Sequence, residues 1–239
     1  MAKQGHDVHF ITSDRYMPFK GLKNNLRIQG VGTKFLDGFK VHRLPLLFEC
    51  RCRVFLLGLM KKLFCLKPDL IIIHGSTNFN NLFIFFYLKK LNAKIIVDEH
   101  HMSVVANKSI FASLFYNFWG IFYRHLVHKK KVVLVGVAQD CCKLLSEKYK
   151  IHIDDISLIP LGSDTDIFRF DHKMRKDCRN ELKLYDNQIL LLYTGKINFE
   201  KNPFLILKAM YNEPIFNNIV FLFVGDQSPE YKADNKHLI

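Results

Sequence analysis

Two stretches of the 239-residue chain combine residue types that reactive sites need. In Tyr193-Thr-Gly-Lys-Ile-Asn-Phe-Glu-Lys-Asn-Pro203 an apolar run ends at Gly195, and Lys196 and Lys201 bracket a short loop. Asn202-Pro203 has the order of an N-cap followed by proline at the first helical position, which predicts a helix over 202–211. Glycine lets backbone come close to a ligand, and lysines beside the free N–H groups of a helix start favour an anion. Such a loop suits a diphosphate; the plainer reading is two solvated lysines beside an ordinary connection.

The second stretch is Asp98-Glu-His-His101, a dense titratable group where a strand is expected to end, a position at which ionisation is often tuned for function. Adjacent residues of extended chain point to opposite sides, so at most one of the two histidines faces a cleft, and the alternation selects His100. A polar helix cap involving Asp98 and Ser103 is the alternative. Two smaller strand-end groups, His74-Gly-Ser-Thr77 and Gly225-Asp226, complete the candidates. No metal site is expected: there is no helical i, i+4 histidine pair, and His74 would have to converge on the others from a different strand.

These groups need a scaffold that brings strand ends together, and the pattern supplies one. Short apolar runs at 8–12, 70–74, 94–98, 132–137, 157–160, 189–194 and 219–224 read as buried parallel strands. Mixed segments at 53–66, 76–91, 109–128, 140–149 and 202–211 read as helices between them, which predicts a doubly wound α/β architecture with ligands beyond the carboxyl ends of the strands. The segment 154–168, broken at Pro160 and Gly162, reads as a hinge between a domain at 1–159 and a smaller one at 160–239.

Composition narrows the function classes. With 49% hydrophobic and 24% charged residues the chain is an ordinary globular one, not a disordered or fibrous one. Its formal charge of +13 is uneven: residues 1–131 carry a net +14 and residues 132–239 a net −1, so the front half is expected to meet something anionic. Residues 110–123 hold seven aromatics and are followed by Lys129-Lys-Lys131, the composition of an interfacial helix with a basic flank or, equally, of a helix covering a sheet. No apolar run reaches the roughly 20 residues that a bilayer span needs, and the polar opening Met1-Ala-Lys-Gln-Gly-His6 is no secretory leader. The six cysteines do not have paired C-x-x-C spacing and read as reduced thiols of a cytoplasmic protein. Nucleic acid is not an expected partner, since no recognition helix, RNP motif or finger accompanies the lysines. The absence of G-x-G-x-x-G argues against NAD.

Five segments, in order, resemble the retaining GT-B glycosyltransferases of family 4. They are Lys3-Gln-Gly-His-Asp-Val-His-Phe-Ile-Thr12, Pro68-Asp-Leu-Ile-Ile-Ile-His-Gly75, Ile156-Ser-Leu-Ile-Pro-Leu-Gly-Ser-Asp-Thr-Asp-Ile-Phe168, Leu192-Tyr-Thr-Gly-Lys-Ile-Asn-Phe-Glu-Lys201 and Phe221-Leu-Phe-Val-Gly-Asp226. The resemblance implies two Rossmann-like domains, the first holding an acceptor and the second a nucleotide sugar. Gly195, Lys196, Lys201, Gly225 and Asp226 would then line the donor site, with the two lysines on the diphosphate and His100 near the transferred sugar. It also implies retention of anomeric configuration and no metal or other cofactor. Taken with the basic front half and the aromatic segment at 110–123, it gives an expected glycan or lipid-linked acceptor and work at the cytoplasmic side of an anionic membrane surface.

The chain departs from that family at several places. Lys196 stands where arginine is usual, and Leu161 replaces a hinge asparagine. The family's glycine-rich first turn has no counterpart, and no two glutamates are eight positions apart as in its donor motif. These departures imply a chain shortened at both ends, with a non-catalytic nucleotide-sugar-binding fragment as the alternative to an active transferase.

Overall fold

The computed structural model describes residues 1–16, 24–50, 53–210, 218–226 and 229–234. The chain divides into two compact units, Met1–Gly162 and Ser163–Ile239.

The first unit opens with a single 3-10 turn, Ala2–Gln4, followed by β1 (His9–Ser13), α1 (Asn24–Arg27), β2 (Gly32–Leu36), β3 (Phe39–Leu44), β4 (Leu46–Cys50) and β5 (Arg53–Leu56). It continues through α2 (Leu59–Leu66), β6 (Leu70–His74), α3 (Phe79–Phe86), α4 (Leu88–Leu91), β7 (Lys94–Glu99), α5 (Ser103–Ala106), α6 (Ile110–His128), β8 (Val132–Gly136), α7 (Gln139–Tyr149) and β9 (Ile156–Leu158). Strands β6, β7, β8 and β9 form a parallel four-stranded sheet in that order. A second sheet has the order β1-β3-β2, parallel between β1 and β3 and antiparallel between β2 and β3. The mixed α/β character with parallel sheets agrees with the sequence pattern, but among the described residues the strands of this unit are not joined into one sheet.

Two local readings need correction. The segment 53–66 is not one helix: Arg53–Leu56 pairs with β4 as a hairpin, and the helix starts only after Gly58, whose φ of 77° breaks the chain direction. The β2–β3 hairpin was not anticipated; it turns through Asp37 and Gly38, both at positive φ, the conformation a two-residue hairpin loop requires.

The aromatic segment proves to be helical and two-sided. Ser109 caps α6 by accepting from the Ala112 N–H, and Tyr116, Trp119, Gly120 and Tyr123 face inward. A Cβ on Gly120 would lie 2.6 Å from Tyr149 Cα, so glycine there is what allows α6 to pack directly on α7. Tyr123 and Tyr149 stack with ring centroids 5.2 Å apart. The opposite face exposes Ile110, Phe111, Leu114, Phe118, Ile121 and Phe122. The helix is therefore core on one side and apolar surface on the other. No helix among the described residues is long and apolar enough to cross a membrane.

The second unit contains α8 (His172–Glu181), β10 (Ile189–Thr194), α9 (Leu205–Met210), β11 (Ile219–Val224) and α10 (Pro229–Asp234). Strands β10 and β11 pair in parallel from Ile189 opposite Ile219 to Thr194 opposite Val224. Ile197, Phe204 and Tyr231 form its small core. Helix α9 starts at Leu205 and not at Pro203. Asn202 has φ 43° and does not act as the N-cap; its side-chain oxygen accepts from the Tyr231 hydroxyl, whose oxygen in turn accepts from the Phe204 N–H. The end of the predicted helix, Tyr211, lies outside the described residues.

Candidate functional site

In the first unit the parallel register sets His74, the last residue of β6, opposite Asp98 of β7. His74 Nδ1 is 2.7 Å from Asp98 Oδ2, and His100 Nε2 is 3.3 Å from Asp98 Oδ1. The Gly75 N–H also donates to Asp98 Oδ1, at 3.3 Å. The hydrogen bond to Asp98 raises the His74 pKa above its ordinary value, against the opposing effect of burial. Burial works against ionisation of Asp98, but the hydrogen bonds and charges of His74 and His100 outweigh it and hold the carboxyl below its usual range. His74 thus does converge from a neighbouring strand, which local spacing could not reveal.

The two adjacent histidines diverge. While His100 turns to Asp98, His101 Nδ1 bonds Glu99 Oε1 at 2.6 Å on the other side. Glu99 is fully buried, and Oε1 also accepts the backbone N–H groups of His100 at 3.0 Å and His101 at 2.8 Å. Its second oxygen accepts from the Ser76 hydroxyl, which is 2.5 Å from the Tyr149 hydroxyl. Tyr123 Oη donates to the Ser76 carbonyl at 2.7 Å, and Asn81 Nδ2 bonds the Gly75 and Ser76 carbonyls. Burial would push Glu99 toward its protonated form, but the bonds from His101 and Ser76 prevail and its pKa is lowered. Glu99 is therefore the anchor of the turn that presents His100, a role the sequence did not single out. The start of α5 is capped by Asp140, which accepts from both the N–H and the hydroxyl of Ser103, and not by Asp98.

The other five candidates lie in the second unit. Gly195 and Gly225 end β10 and β11 at φ 146° and 153°, and a Cβ on Gly225 would collide with the Gly195 carbonyl oxygen. The Gly195 N–H donates to the Val224 carbonyl and the Ile197 N–H to the Asp226 carbonyl, both at 2.9 Å, so Gly195, Lys196, Gly225 and Asp226 come together at one strand end. Tyr193 Oη donates to the Lys196 carbonyl, and the Lys201 N–H to Asn198 Oδ1. Lys196, Lys201 and Asp226 are exposed. Since the described part of α9 is only six residues and begins beyond the loop, the lysine ammonium groups and loop backbone, not a helix dipole, are what this end offers an anion.

The model of Glycosyltransferase Family 4 matches residues 1–167. No curated protein matches the chain by sequence. Among solved structures, Anabaena Alr3699/HepE in complex with UDP is similar at TM-score 0.60 and 11% identity, over 83% of this chain and 52% of that one. The same protein with UDP-glucose gives TM-score 0.56 at 12% identity, and with UDP and glucose 0.54 at 13%, each over 83% of this chain and 51% of that one. The chain thus spans about half the length of the solved structures it matches.

Proposed function

The chain belongs to glycosyltransferase family 4, with the α/β fold of GT-B enzymes, and from that premise we propose that it takes part in moving a sugar from a nucleotide diphosphate sugar to a glycan or lipid-linked acceptor. The observation that carries the reading is the joined end of β10 and β11, where glycine backbone comes together with exposed Lys196, and the loop beyond it carries exposed Lys201. In this reading the second unit holds the donor: Lys196 and Lys201 neutralise the diphosphate, Gly195 and Gly225 let it approach the backbone, and Asp226 borders the site. Negative charge grows on the departing diphosphate in the transition state, so ammonium groups there assist the departure without a metal in the donor grip. Lysine lacks the planar fork of arginine, so the grip at Lys196 is a point-charge contact. The first unit holds the acceptor; His100, fixed by Asp98 and by the Glu99-anchored turn, is its candidate catalytic residue, and transfer retains configuration.

HepE is solved with UDP and UDP-glucose, so uridine nucleotides are the first donors to test. Calorimetry should show UDP or GDP binding to the full chain. Lys201→Ala should weaken it about tenfold or more, the share of one charge-assisted phosphate contact. Equal affinity in the variant would remove the diphosphate assignment.

A polysaccharide or lipid-linked acceptor would place the protein at the cytoplasmic face of a membrane. The outer side of α6 supports that placement: its apolar stripe ends in exposed Arg124, Lys129, Lys130 and Lys131, within a front half of net charge +14. Vesicles containing anionic lipid should co-sediment the protein at low salt and release it at high salt, each basic residue near the surface being worth about 1 kcal/mol. Equal binding to neutral and anionic vesicles, or none to either, would take the membrane out of the reading.

A further inference from the structure

The polar group at the ends of β6 and β7 has a donor set that sugar transfer does not call for. It comprises two imidazoles and one carboxylate, brought from two strands by register and alternation: His74 opposite Asp98, and His100 two residues further along the same side. One nitrogen or oxygen from each of the three lies within 4.8 Å of the others, with His74 Nδ1 and His100 Nε2 each directed at a different oxygen of the one carboxylate. We propose that His74, Asp98 and His100 form a three-ligand site for a divalent transition cation of the zinc type, with water filling the remaining position.

The fit follows from bond lengths. Zinc binds imidazole nitrogen and carboxylate oxygen at about 2.0–2.2 Å, so tetrahedral ligand atoms sit about 3.3 Å apart. The His100–Asp98 separation of 3.3 Å matches that value, while the His74–Asp98 separation of 2.7 Å, to the other carboxylate oxygen, must widen by a few tenths of an ångström. Both imidazoles can rotate to that spacing, because the His74 and His100 side chains are 63% and 41% exposed and the three ligand atoms already lie within 4.8 Å of one another. Asp98 is the fixed member, 14% exposed and held by the Gly75 N–H, and the backbone of His100 is held by Glu99; metal sites are usually oriented by such outer bonds. The ligand types also select the ion. Magnesium and calcium need several oxygen donors, and this site offers one carboxylate, whereas two imidazoles with a carboxylate suit zinc and its neighbours. Three protein ligands with an open position mark an exchangeable site, unlike the closed four-ligand sites that stabilise folds.

The site stands independently of the transferase reading. If that reading also holds, a bound cation would draw His100 away from the sugar, and zinc would inhibit transfer. The test is titration of the full chain with zinc alone by calorimetry, with cobalt(II) as a spectroscopic probe. Binding of one ion is expected, with visible bands of a nitrogen- and oxygen-ligated cobalt centre. His74→Ala and His100→Ala should each weaken it about tenfold or more, while Lys201→Ala in the other unit leaves it unchanged. Asp98→Asn, which keeps the side chain's shape, guards against a variant that merely misfolds, and its circular dichroism should match the native chain. Absence of zinc binding, or equal affinity in the two histidine variants, overturns the site, as does a cobalt spectrum dominated by thiolate bands. UDP affinity is measured separately, so failure of the metal site and failure of the donor assignment cannot be confused.

Discussion

The strand ends of the two units hold their polar residues by different means. At the end of β7 Glu99, with no exposure to solvent, binds two backbone N–H groups, one imidazole and one hydroxyl, and Tyr123, Tyr149 and Asn81 brace the neighbouring Gly75-Ser76 segment from the helices behind it. At the ends of β10 and β11 backbone holds backbone: two glycines pass within contact of each other, and the exposed lysines ride on a loop fixed by main-chain bonds. A group that must be oriented without a ligand, such as His100, needs the first construction. Under the proposed donor reading, lysines that meet a highly charged ligand can use the second, since attraction between charges acts over a longer range than a hydrogen bond.

The contrast is broken most severely at Glu99. Glu99→Ala would leave the Ser76 hydroxyl, two N–H groups and the half-exposed His101 imidazole without the fully buried carboxylate that they share, and loss of one partner in a buried charged pair costs up to about 3–5 kcal/mol. The sole tryptophan, Trp119, is buried in the first unit, so denaturation followed by its fluorescence reads that unit alone. Its midpoint should fall sharply in Glu99→Ala and less in Glu99→Gln, which retains one acceptor oxygen. A loss below about 1 kcal/mol for the alanine variant would mean that water replaces the carboxylate and that the turn is not held as described.

Gly225→Ala makes the complementary break. The added Cβ meets the Gly195 carbonyl oxygen, an atom that cannot step aside without opening the β10–β11 pairing. Overpacking of this kind costs about 1–3 kcal/mol, to which the unfavourable positive φ adds. The loss should appear in far-ultraviolet circular dichroism and in UDP affinity but not in the Trp119 transition. A shifted Trp119 transition would show that the two units unfold together and that the contrast cannot be tested one side at a time.

How far the sequence anticipated these constructions depends on the range of the interaction. Strands β6, β10 and β11 were legible to the residue because each is a continuous apolar run, although the structure leaves them partly exposed. Strand β2 is exposed throughout and has no such run; only the Asp37-Gly38 turn signals it. Residues 53–56 are as apolar as the helix that follows, and Gly58 was the one marker of the change. Helix α8 buries nothing among the described residues and is announced only by its Asp171 cap, which accepts from the Met174 N–H. For the site, alternation separates His100 from His101, but the meeting of His74 with Asp98 depends on a register between residues 24 apart. The displacement of α9 from Pro203 depends on Tyr231, 27 residues beyond the Phe204 N–H that it receives.

The smallest expected effect is the dependence of the first unit on pH, and it sharpens the contrast because it again comes from side chains packed on side chains. His42 of β3 is buried, with Nε2 2.8 Å from His9 Nδ1 on β1 and Nδ1 2.8 Å from Thr33 Oγ1 on β2. Burial, then the charges of Lys62, His9 and Lys40, push the His42 pKa below its ordinary 6.5. Asp7, which faces His9 and Lys40, has its own pKa lowered from 3.8 by their hydrogen bonds and so changes charge at far lower pH. As pH falls through 6.5 the unfolded chain therefore takes up a proton at this position that the folded chain refuses, and stability declines. The contribution is absent above about pH 7.5 and can reach a slope of at most one proton, about 1.4 kcal/mol per pH unit, below it. His42→Gln keeps a donor and an acceptor for Thr33 and His9 but does not titrate. Followed by Trp119 fluorescence between about pH 5 and pH 7.5, its stability should fall less steeply than that of the native chain. Parallel curves would mean that the folded chain accepts the proton at His42, with both ring nitrogens then donating, one to His9 Nδ1 and one to Thr33 Oγ1, and that burial does not hold the ring neutral.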